Sequence, residues 1–454
     1  MAPTADDLRN ELQSRAAALE IPGAAVGILH DGEEQYAVYG VTSVENPLDV
    51  DETTLFQFGS TGKTHTATAI MCLAEQGKVD LSEKVRNYVP ELKLRDENVA
   101  KEVTVLQLLN HTAGWSGDLL DSTGDGDDAL ERYVELMGDL EQVTPLGKVM
   151  SYNNASLSLA GRLIEKVTGL VYEQAIKELI LSPLGLEHTF FFPNDIMTRR
   201  FAAGHNRKPD GTLEVARPWA LPRSGNPAGG MSSNAADLVA WARFHLGDGS
   251  PLLTKASLDL MKEPTFDMRG GALGDYVGIS WLMRDVDGVR LVGHGGNSIG
   301  QNSTFTMVPE RGFAFASLTN DGGHGDMLSE ELERWALEHY AGVVITDPEP
   351  VKLDDAALAE FVGTYDTIAV VCHVSAADGG LVMRTEVRPE VWAKLSEDPV
   401  PEPDDHPIGM LPGDVDRYII TGGEAKGMKG YFARDASGQI EAVHIGGRLA
   451  QRVR

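Results

Sequence analysis

Near its amino-terminal end the chain reads Phe56-Gln57-Phe58-Gly59-Ser60-Thr61-Gly62-Lys63 and runs directly into a helical stretch over residues 64–76, which Gly77 closes. Ser60 therefore lies at a helix start, and Lys63, three positions on, falls on the same helix face. The helix dipole and burial both disfavour a charged lysine there and lower its pKa, so Lys63 can accept the proton of the serine hydroxyl. The pair predicts a nucleophilic serine. The same sequence pattern also fits a serine that only caps the helix beside a solvated lysine.

A second polar segment, Ser151-Tyr152-Asn153-Asn154, precedes the amphipathic stretch 155–167. A phenol held beside a lysine can pass a proton to a leaving group, which makes Tyr152 a candidate catalytic residue. The Asn154 carboxamide can hold a substrate carbonyl or orient the lysine. Taken alone, the segment is equally well explained as an ordinary turn with a capping asparagine.

A third element is the apolar strand that reads Leu291-Val292-Gly293-His294-Gly295-Gly296-Asn297. Because the glycines of this strand have no side chains, a substrate backbone can lie along it. His294 and Gly296 are therefore candidate substrate-binding residues. We expect the amide N–H groups of Ser60 and Asn297 to form an oxyanion hole. A glycine bulge with a surface histidine is the alternative interpretation of this strand.

The order of these three elements resembles that in the serine β-lactamase-like and penicillin-binding family, which includes class C β-lactamases, D-alanyl-D-alanine carboxypeptidases, D-aminopeptidases and esterases. The resemblance covers residues 5–340 and extends to three further phrases, which we interpret as scaffold: Leu-Leu-Asn-His-Thr-Ala-Gly at 108–114, Pro-Leu-Gly-Leu at 183–186 and Ala-Gly-Gly-Met-Ser-Ser at 228–233. It implies that Ser60 is the acylated nucleophile and that Lys63 and Tyr152 move its proton. It also implies that Asn154, His294, Gly296 and Asn297 bind substrate, without any metal or cofactor.

The chain departs from the β-lactamases at two of these elements. Class A enzymes carry Ser-Asp-Asn, and class A and class C enzymes carry Lys-Thr-Gly, where this chain has Tyr-Asn-Asn at 152–154 and His-Gly-Gly at 294–296. A lysine on the strand is a permanent cation for a substrate carboxylate, whereas a histidine is only partly charged near neutral pH. His294 therefore resembles the residue of certain carboxypeptidases, D-aminopeptidases and esterases, and strong β-lactamase activity is not expected.

A length of 454 residues predicts at least two domains. Residues 1–345 are expected to form an α+β, β-lactamase-like domain, in which strands from both ends, starting with a hairpin at 23–32, make one antiparallel sheet around a helical middle. A polar, proline-containing linker follows at 346–350. Residues 351–454 resemble a small lipocalin-like β-barrel, with strand-like segments at 368–374, 381–387, 418–421 and 442–445. This module offers no nucleophile, so we expect it to enclose the cleft or mediate self-association.

Composition narrows the choice of partners. The chain has 68 acidic and 39 basic side chains, a formal charge of −29, which argues against nucleic acid and anionic membranes as partners. The two cysteines, Cys72 and Cys372, lack metal-ligand spacing and form no disulfide framework. The amino terminus shows no signal peptide, which predicts a cytoplasmic location. A small molecule or peptide as substrate, and a homo-oligomeric state, are compatible with these features.

Three functions remain open at this point. The first is a serine hydrolase that forms an acyl-enzyme on Ser60 and cleaves an amide or ester, with a D-residue peptide as the candidate substrate. The second is a carboxylesterase or acyltransferase that uses the same residues. The third is a non-catalytic penicillin-binding or sensor protein, in which the acyl group stays bound because deacylation is slow.

Overall fold

The computed structural model describes residues 2–208, 210–377, 379–395, 400, 402–423 and 425–453. The strands, in chain order, are β1 (Gly23–His30), β2 (Glu33–Gly40), β3 (Phe56–Gln57), β4 (His205–Arg207), β5 (Leu213–Val215), β6 (Ser232–Ser233), β7 (Phe266–Gly271), β8 (Gly274–Val277), β9 (Leu282–Val286), β10 (Val289–Ser298), β11 (Gln301–Val308), β12 (Phe313–Thr319), β13 (Gly363–Asp366), β14 (Val370–Ala377), β15 (Gly380–Val387), β16 (Asp404–Met410), β17 (Arg417–Ile420), β18 (Lys429–Arg434), β19 (Ile440–Ile445) and β20 (Arg448–Arg452). The α-helices are α1 (Ala5–Ala18), α2 (Lys63–Glu75), α3 (Glu97–Glu102), α4 (Val105–Leu109), α5 (Ala129–Leu136), α6 (Asn154–Thr168), α7 (Tyr172–Ile176), α8 (Ser182–Leu184), α9 (Pro193–Ile196), α10 (Asn226–Gly229), α11 (Ala235–Leu246), α12 (Lys255–Met261), α13 (Gly325–Ala336), α14 (Asp355–Ala359) and α15 (Pro389–Leu395).

The main sheet has eight antiparallel strands in the order β2-β1-β12-β11-β10-β9-β8-β7. The predicted hairpin is confirmed as β1 and β2, and β1 pairs with β12, which comes almost three hundred residues later, with Ala24 opposite Thr319. The sheet is therefore built from both ends of this part of the chain, as the sequence predicted. Strand β10, which carries His294, lies three places from β1 in the sheet.

Both faces of this sheet are covered, and this explains why β1 is an almost continuous apolar run. Val26 and Ile28 pack on one face with the helices α1 and α13, whereas Ala25 and Leu29 pack on the other face with α11 and the helical middle. Alternate residues of a strand point to opposite faces, so a strand that is covered on both sides needs apolar residues at every position. The helical middle holds α2 and α6, the two helices that begin at the predicted site segments.

The carboxy-terminal part forms a closed antiparallel barrel of eight strands, β13 to β20 in sequential order. The four predicted strand segments are confirmed as β14, β15, β17 and β19, although 368–369 and 421 lie outside the strands. The barrel has an apolar core of its own, in which the ring of Phe432 lies 4.8 Å from that of Phe361 and 5.8 Å from that of Tyr365. Closure leaves no unpaired strand edge, which is how a module of this size keeps its backbone hydrogen bonds satisfied.

The barrel packs against the part of the chain that precedes it, next to the segment that carries Tyr152. The backbone N–H of Tyr152 donates to the Gly447 carbonyl at 2.8 Å, and His444 Nε2 lies 3.2 Å from the Met150 carbonyl oxygen. Farther out, the Arg269 guanidinium pairs with Asp414 of the barrel at 2.8 Å. The two parts therefore meet at a predicted catalytic residue.

Within the described ranges, no helix has the length and apolar character needed to cross a membrane.

Candidate active site

Ser60 lies in a tight 3₁₀ turn, Gly59–Gly62, that leads into α2. The predicted helix is confirmed and begins one residue earlier than expected, at Lys63. Gly59 has φ +51°, and a Cβ atom there would come within 2.6 Å of the Asn297 carbonyl oxygen. The turn is thus pressed against β10 so closely that only glycine fits.

The lysine side chain reaches Ser60 from the first turn of α2. Lys63 Nζ lies 2.9 Å from Ser60 Oγ and donates to the Ala228 carbonyl at 2.5 Å. The side chain is fully buried, and burial lowers the pKa of Lys63 well below its usual value. A lysine with a lowered pKa loses its proton more readily, and the neutral amine has a lone pair that can accept the Ser60 proton.

Tyr152 completes a cluster with these two residues. Its phenol is buried beside Ser60, whose side chain acts to lower its pKa, and Lys63 Nζ lies 4.9 Å from the centre of its ring. Burial raises the pKa of Tyr152, so the phenol keeps its proton at neutral pH. The three predicted catalytic residues, separated by up to 92 positions in the sequence, are therefore brought together.

His111 packs against the Tyr152 segment and accepts a hydrogen bond from it. Its ring lies 4.5 Å from the Tyr152 ring, and its Nδ1 accepts the backbone N–H of Asn153 at 3.1 Å. Burial lowers the pKa of His111 and keeps the ring neutral, as an acceptor at Nδ1 requires. These contacts agree with the scaffold role expected for residues 108–114.

His294 is buried on β10, with its ring 6.1 Å from that of Tyr152. Its Nδ1 lies 2.5 Å from the Gly295 carbonyl oxygen, which can only accept, so Nδ1 carries the ring proton and Nε2 presents a lone pair. Nε2 has no hydrogen-bond partner among the described residues. Burial, with Lys63 nearby, lowers the pKa of His294 to about 3. The expected partial charge near neutral pH is therefore corrected: burial makes His294 a neutral acceptor.

Gly296 and Asn297 lie where β10 passes the Ser60 turn. A Cβ atom at Gly296 would come within 2.1 Å of the Phe58 carbonyl oxygen and 2.8 Å of the Ser60 nitrogen. Gly296 was expected to leave room for a substrate, and the structure fills that room with the backbone of the protein itself. Asn297 lines the cavity above Ser60, and its side-chain amide donates to Asp326 at 3.4 Å.

A cavity of about 950 Å³ opens above Ser60. Besides Ser60, Asn154 and Asn297, its wall includes the large apolar side chains Leu119, Leu120, Phe191, Phe192, Trp219 and Ile299. Such a wall suits an apolar acyl group or side chain.

Over the described part of the chain, no group of three His, Cys, Asp or Glu side chains could hold a metal ion.

Two charged residues at the site were missed by the sequence analysis. Asp118 accepts from the Asn154 amide at 3.0 Å, and Arg448 donates to both Asp118 oxygens, from Nε at 2.6 Å and from Nη2 at 2.8 Å. The Arg448 guanidinium also lies 5.3 Å from the centre of the Tyr152 ring. Asp118 follows the scaffold phrase at 108–114, which could have drawn attention to it. Arg448 lies in the barrel, 330 positions away, and no local signal marks it.

Several known proteins resemble this chain in sequence. The family model for Beta-lactamase matches residues 8–339. Penicillin-binding protein 4 of Amycolatopsis lactamdurans is 35% identical over 363 residues, which cover 76% of this chain and 93% of that protein.

Solved structures extend the likeness through the barrel. SurE with D-Leu superposes with a TM-score of 0.76 at 24% identity, over 99% of both chains. The octameric penicillin-binding protein homologue from Pyrococcus abyssi superposes with a TM-score of 0.68 at 23% identity, over 97% of this chain and 98% of that one. The resemblance drawn from the sequence is confirmed: this chain belongs to the beta-lactamase family.

Proposed function

We propose that the protein acts through an acyl-enzyme on Ser60 and cleaves an amide or ester bond, within the serine hydrolase chemistry of the beta-lactamase family. The observation that carries this proposal is the 2.9 Å contact between Ser60 Oγ and the Nζ of a fully buried lysine, Lys63. A serine hydroxyl is a weak nucleophile unless a base takes its proton, and the neutral form of a buried lysine is such a base.

The proposed reaction has two halves. Lys63 accepts the Ser60 proton while Oγ attacks the carbonyl carbon, and the amide N–H groups of Ser60 and Asn297 donate to the oxyanion. Tyr152 then passes a proton to the leaving amine or alcohol and is reprotonated from Lys63. Water hydrolyses the Ser60 ester in the second half and returns the proton to the serine.

The site favours a substrate that is neutral next to the scissile bond. A neutral His294 offers an acceptor where a lysine would offer a fixed cation, and the apolar part of the cavity wall suits an uncharged acyl group. We therefore keep a D-residue peptide as the first candidate and a carboxylic ester as the second. SurE, which shares the fold, has been crystallised with D-Leu, an example of the D-residue class.

Fluorophosphonate labelling followed by intact mass tests the proposal. We expect one adduct on the wild-type protein and none on Ser60→Ala. Ser158→Ala is the matched control, because Ser158 lines the same cavity and donates to the Ser224 carbonyl at 2.8 Å, away from Lys63. Labelling that survives Ser60→Ala would show that the proposal is wrong.

Substrates then separate the candidates. D-Alanyl-p-nitroanilide, p-nitrophenyl esters and nitrocefin report on amide, ester and β-lactam cleavage respectively. Turnover of the anilide supports the D-peptide function, and turnover of esters alone supports the esterase. An acyl adduct that accumulates in the mass spectrum without turnover would favour a sensor protein.

His294→Lys should change which substrates are preferred. A lysine there adds a cation beside the scissile bond, and a charge-assisted hydrogen bond to a carboxylate contributes about 1.5–3 kcal/mol. We expect the ratio of kcat/KM for carboxylated over neutral esters to rise about tenfold or more. The control is His294→Gln, which keeps the site uncharged and should leave this ratio near the wild-type value. Equal ratios in all three proteins would show that His294 takes no part in substrate recognition.

A further inference from the structure

The turn between β19 and β20 is the part of the barrel that reaches the candidate active site. Arg448, the first residue of β20, donates hydrogen bonds of 2.6 and 2.8 Å to the two carboxylate oxygens of Asp118, which makes a bidentate arginine–carboxylate pair. The Asp118 side chain is 11% exposed and that of Arg448 is 33% exposed. A pair this sheltered is screened less by salt than a surface pair and holds its geometry more firmly.

Both members of the pair contact residues of the proposed mechanism. Asp118 accepts from the Asn154 amide at 3.0 Å, and the Arg448 guanidinium lies 5.3 Å from the Tyr152 ring centre. The same turn also holds the backbone of this segment, since the Tyr152 N–H donates to Gly447 at 2.8 Å. The barrel therefore fixes the segment 151–154 at its backbone and at two side chains.

We propose that Arg448 and Asp118 form a positioning pair, through which the barrel holds Tyr152 and Asn154 in their working places around Ser60 and balances the charge near Lys63. This inference rests on the proposed function. It assigns the barrel a part in the catalytic site itself, beyond the enclosure of the cleft or self-association expected from its sequence.

The charge balance gives the pair a distinctive signature. The ionisable side chains that act on Lys63, or on which Lys63 acts, are Tyr152, His111, His294, Asp118 and Arg448. The first three are neutral near pH 7, so only the pair carries charge. The Arg448 cation lowers the pKa of Lys63 and the Asp118 carboxylate raises it. In the pair the two effects oppose each other, and removal of one partner leaves the other uncompensated.

The pH dependence of Ser60 acylation tests this idea in three variants of the whole chain. In Arg448→Met the unpaired carboxylate should raise the pKa of Lys63, so the acid limb of the rate profile moves about one unit to higher pH. In Asp118→Asn the unpaired cation should move the same limb to lower pH. The double variant should return the limb toward the wild-type position. Each variant should also acylate about tenfold to a hundredfold more slowly, because Tyr152 and Asn154 lose their support.

Arg434→Met is the matched control, since Arg434 makes three hydrogen bonds of 2.8 to 3.0 Å to Asp416 within the barrel and does not line the Ser60 cavity. It should leave both the rate and the pH profile unchanged. Arg448→Lys keeps the charge and loses the bidentate geometry, so it should acylate more slowly with an unshifted profile. It serves where Arg448→Met does not fold, as judged by thermal unfolding.

Acid limbs that shift in the same direction in the two single variants, or wild-type rates in Arg448→Met and Arg448→Lys, would overturn the inference. Failure of the proposed function looks different. It appears as absent labelling of Ser60 in the wild-type protein, before any pair variant is compared.

Discussion

Replacement of Lys63 by Met is expected to lower kcat/KM by about 10²-fold or more, the usual contribution of a positioned proton acceptor. Methionine is also unbranched and fills a similar volume, so the fully buried site should stay packed while the base is lost. In the wild-type protein kcat/KM should rise with pH as Lys63 loses its proton, at a pH well below the usual pKa of lysine. That limb should vanish in the variant. The measurement is the pH profile of ester or anilide turnover.

Lys262→Met is the control for the loss of a sheltered lysine. Lys262 donates to the His245 carbonyl at 2.6 Å, its side chain is 10% exposed and burial lowers its pKa to about 8, but it does not line the Ser60 cavity. We expect near-normal turnover from this variant. Near-normal turnover from Lys63→Met as well would show that the Ser60 segment is only a capped helix start and that Lys63 is not the base.

Gly296→Ala is expected to lower the rate of Ser60 labelling by about 10²-fold, although it adds a single methyl group. The new Cβ atom would lie 2.1 Å from the Phe58 carbonyl oxygen and 2.8 Å from the Ser60 nitrogen, so β10 or the Ser60 turn must move. Both atoms belong to backbone that holds the nucleophile and one proposed oxyanion donor, and a displacement of about 1 Å is enough for such a loss. Overpacking should also cost about 1–3 kcal/mol of stability.

The neighbouring glycine provides the control. A Cβ atom at Gly295 meets nothing closer than the Ser303 carbonyl oxygen at 3.6 Å, an ordinary contact distance. Gly295→Ala should therefore keep both its labelling rate and its unfolding temperature near those of the wild-type protein. If the two variants label equally fast, the close approach of β10 to the Ser60 turn does not matter for the reaction.

The sequence by itself determined the features that depend on neighbours along the chain. The spacing of Ser60 and Lys63 places them on one helix face whatever the rest of the chain does, because three residues make nearly one turn of a helix. The β1–β2 hairpin and the barrel strands follow in the same way from local alternation and turn residues. The grouping of Tyr152 and His294 with Ser60 could be predicted only because their order along the chain resembles a known family.

Only the tertiary structure decided the contacts that cross the two parts of the molecule. The Arg448–Asp118 pair joins positions 330 residues apart, and an arginine at the end of a barrel turn looks like any surface charge in the sequence. The neutrality of His294 and the reason for Gly296 also depend on what the fold packs around them, since burial sets the charge of an imidazole and a facing backbone forbids a side chain. Burial and close approach are properties of the whole packed chain, and a local pattern does not contain them.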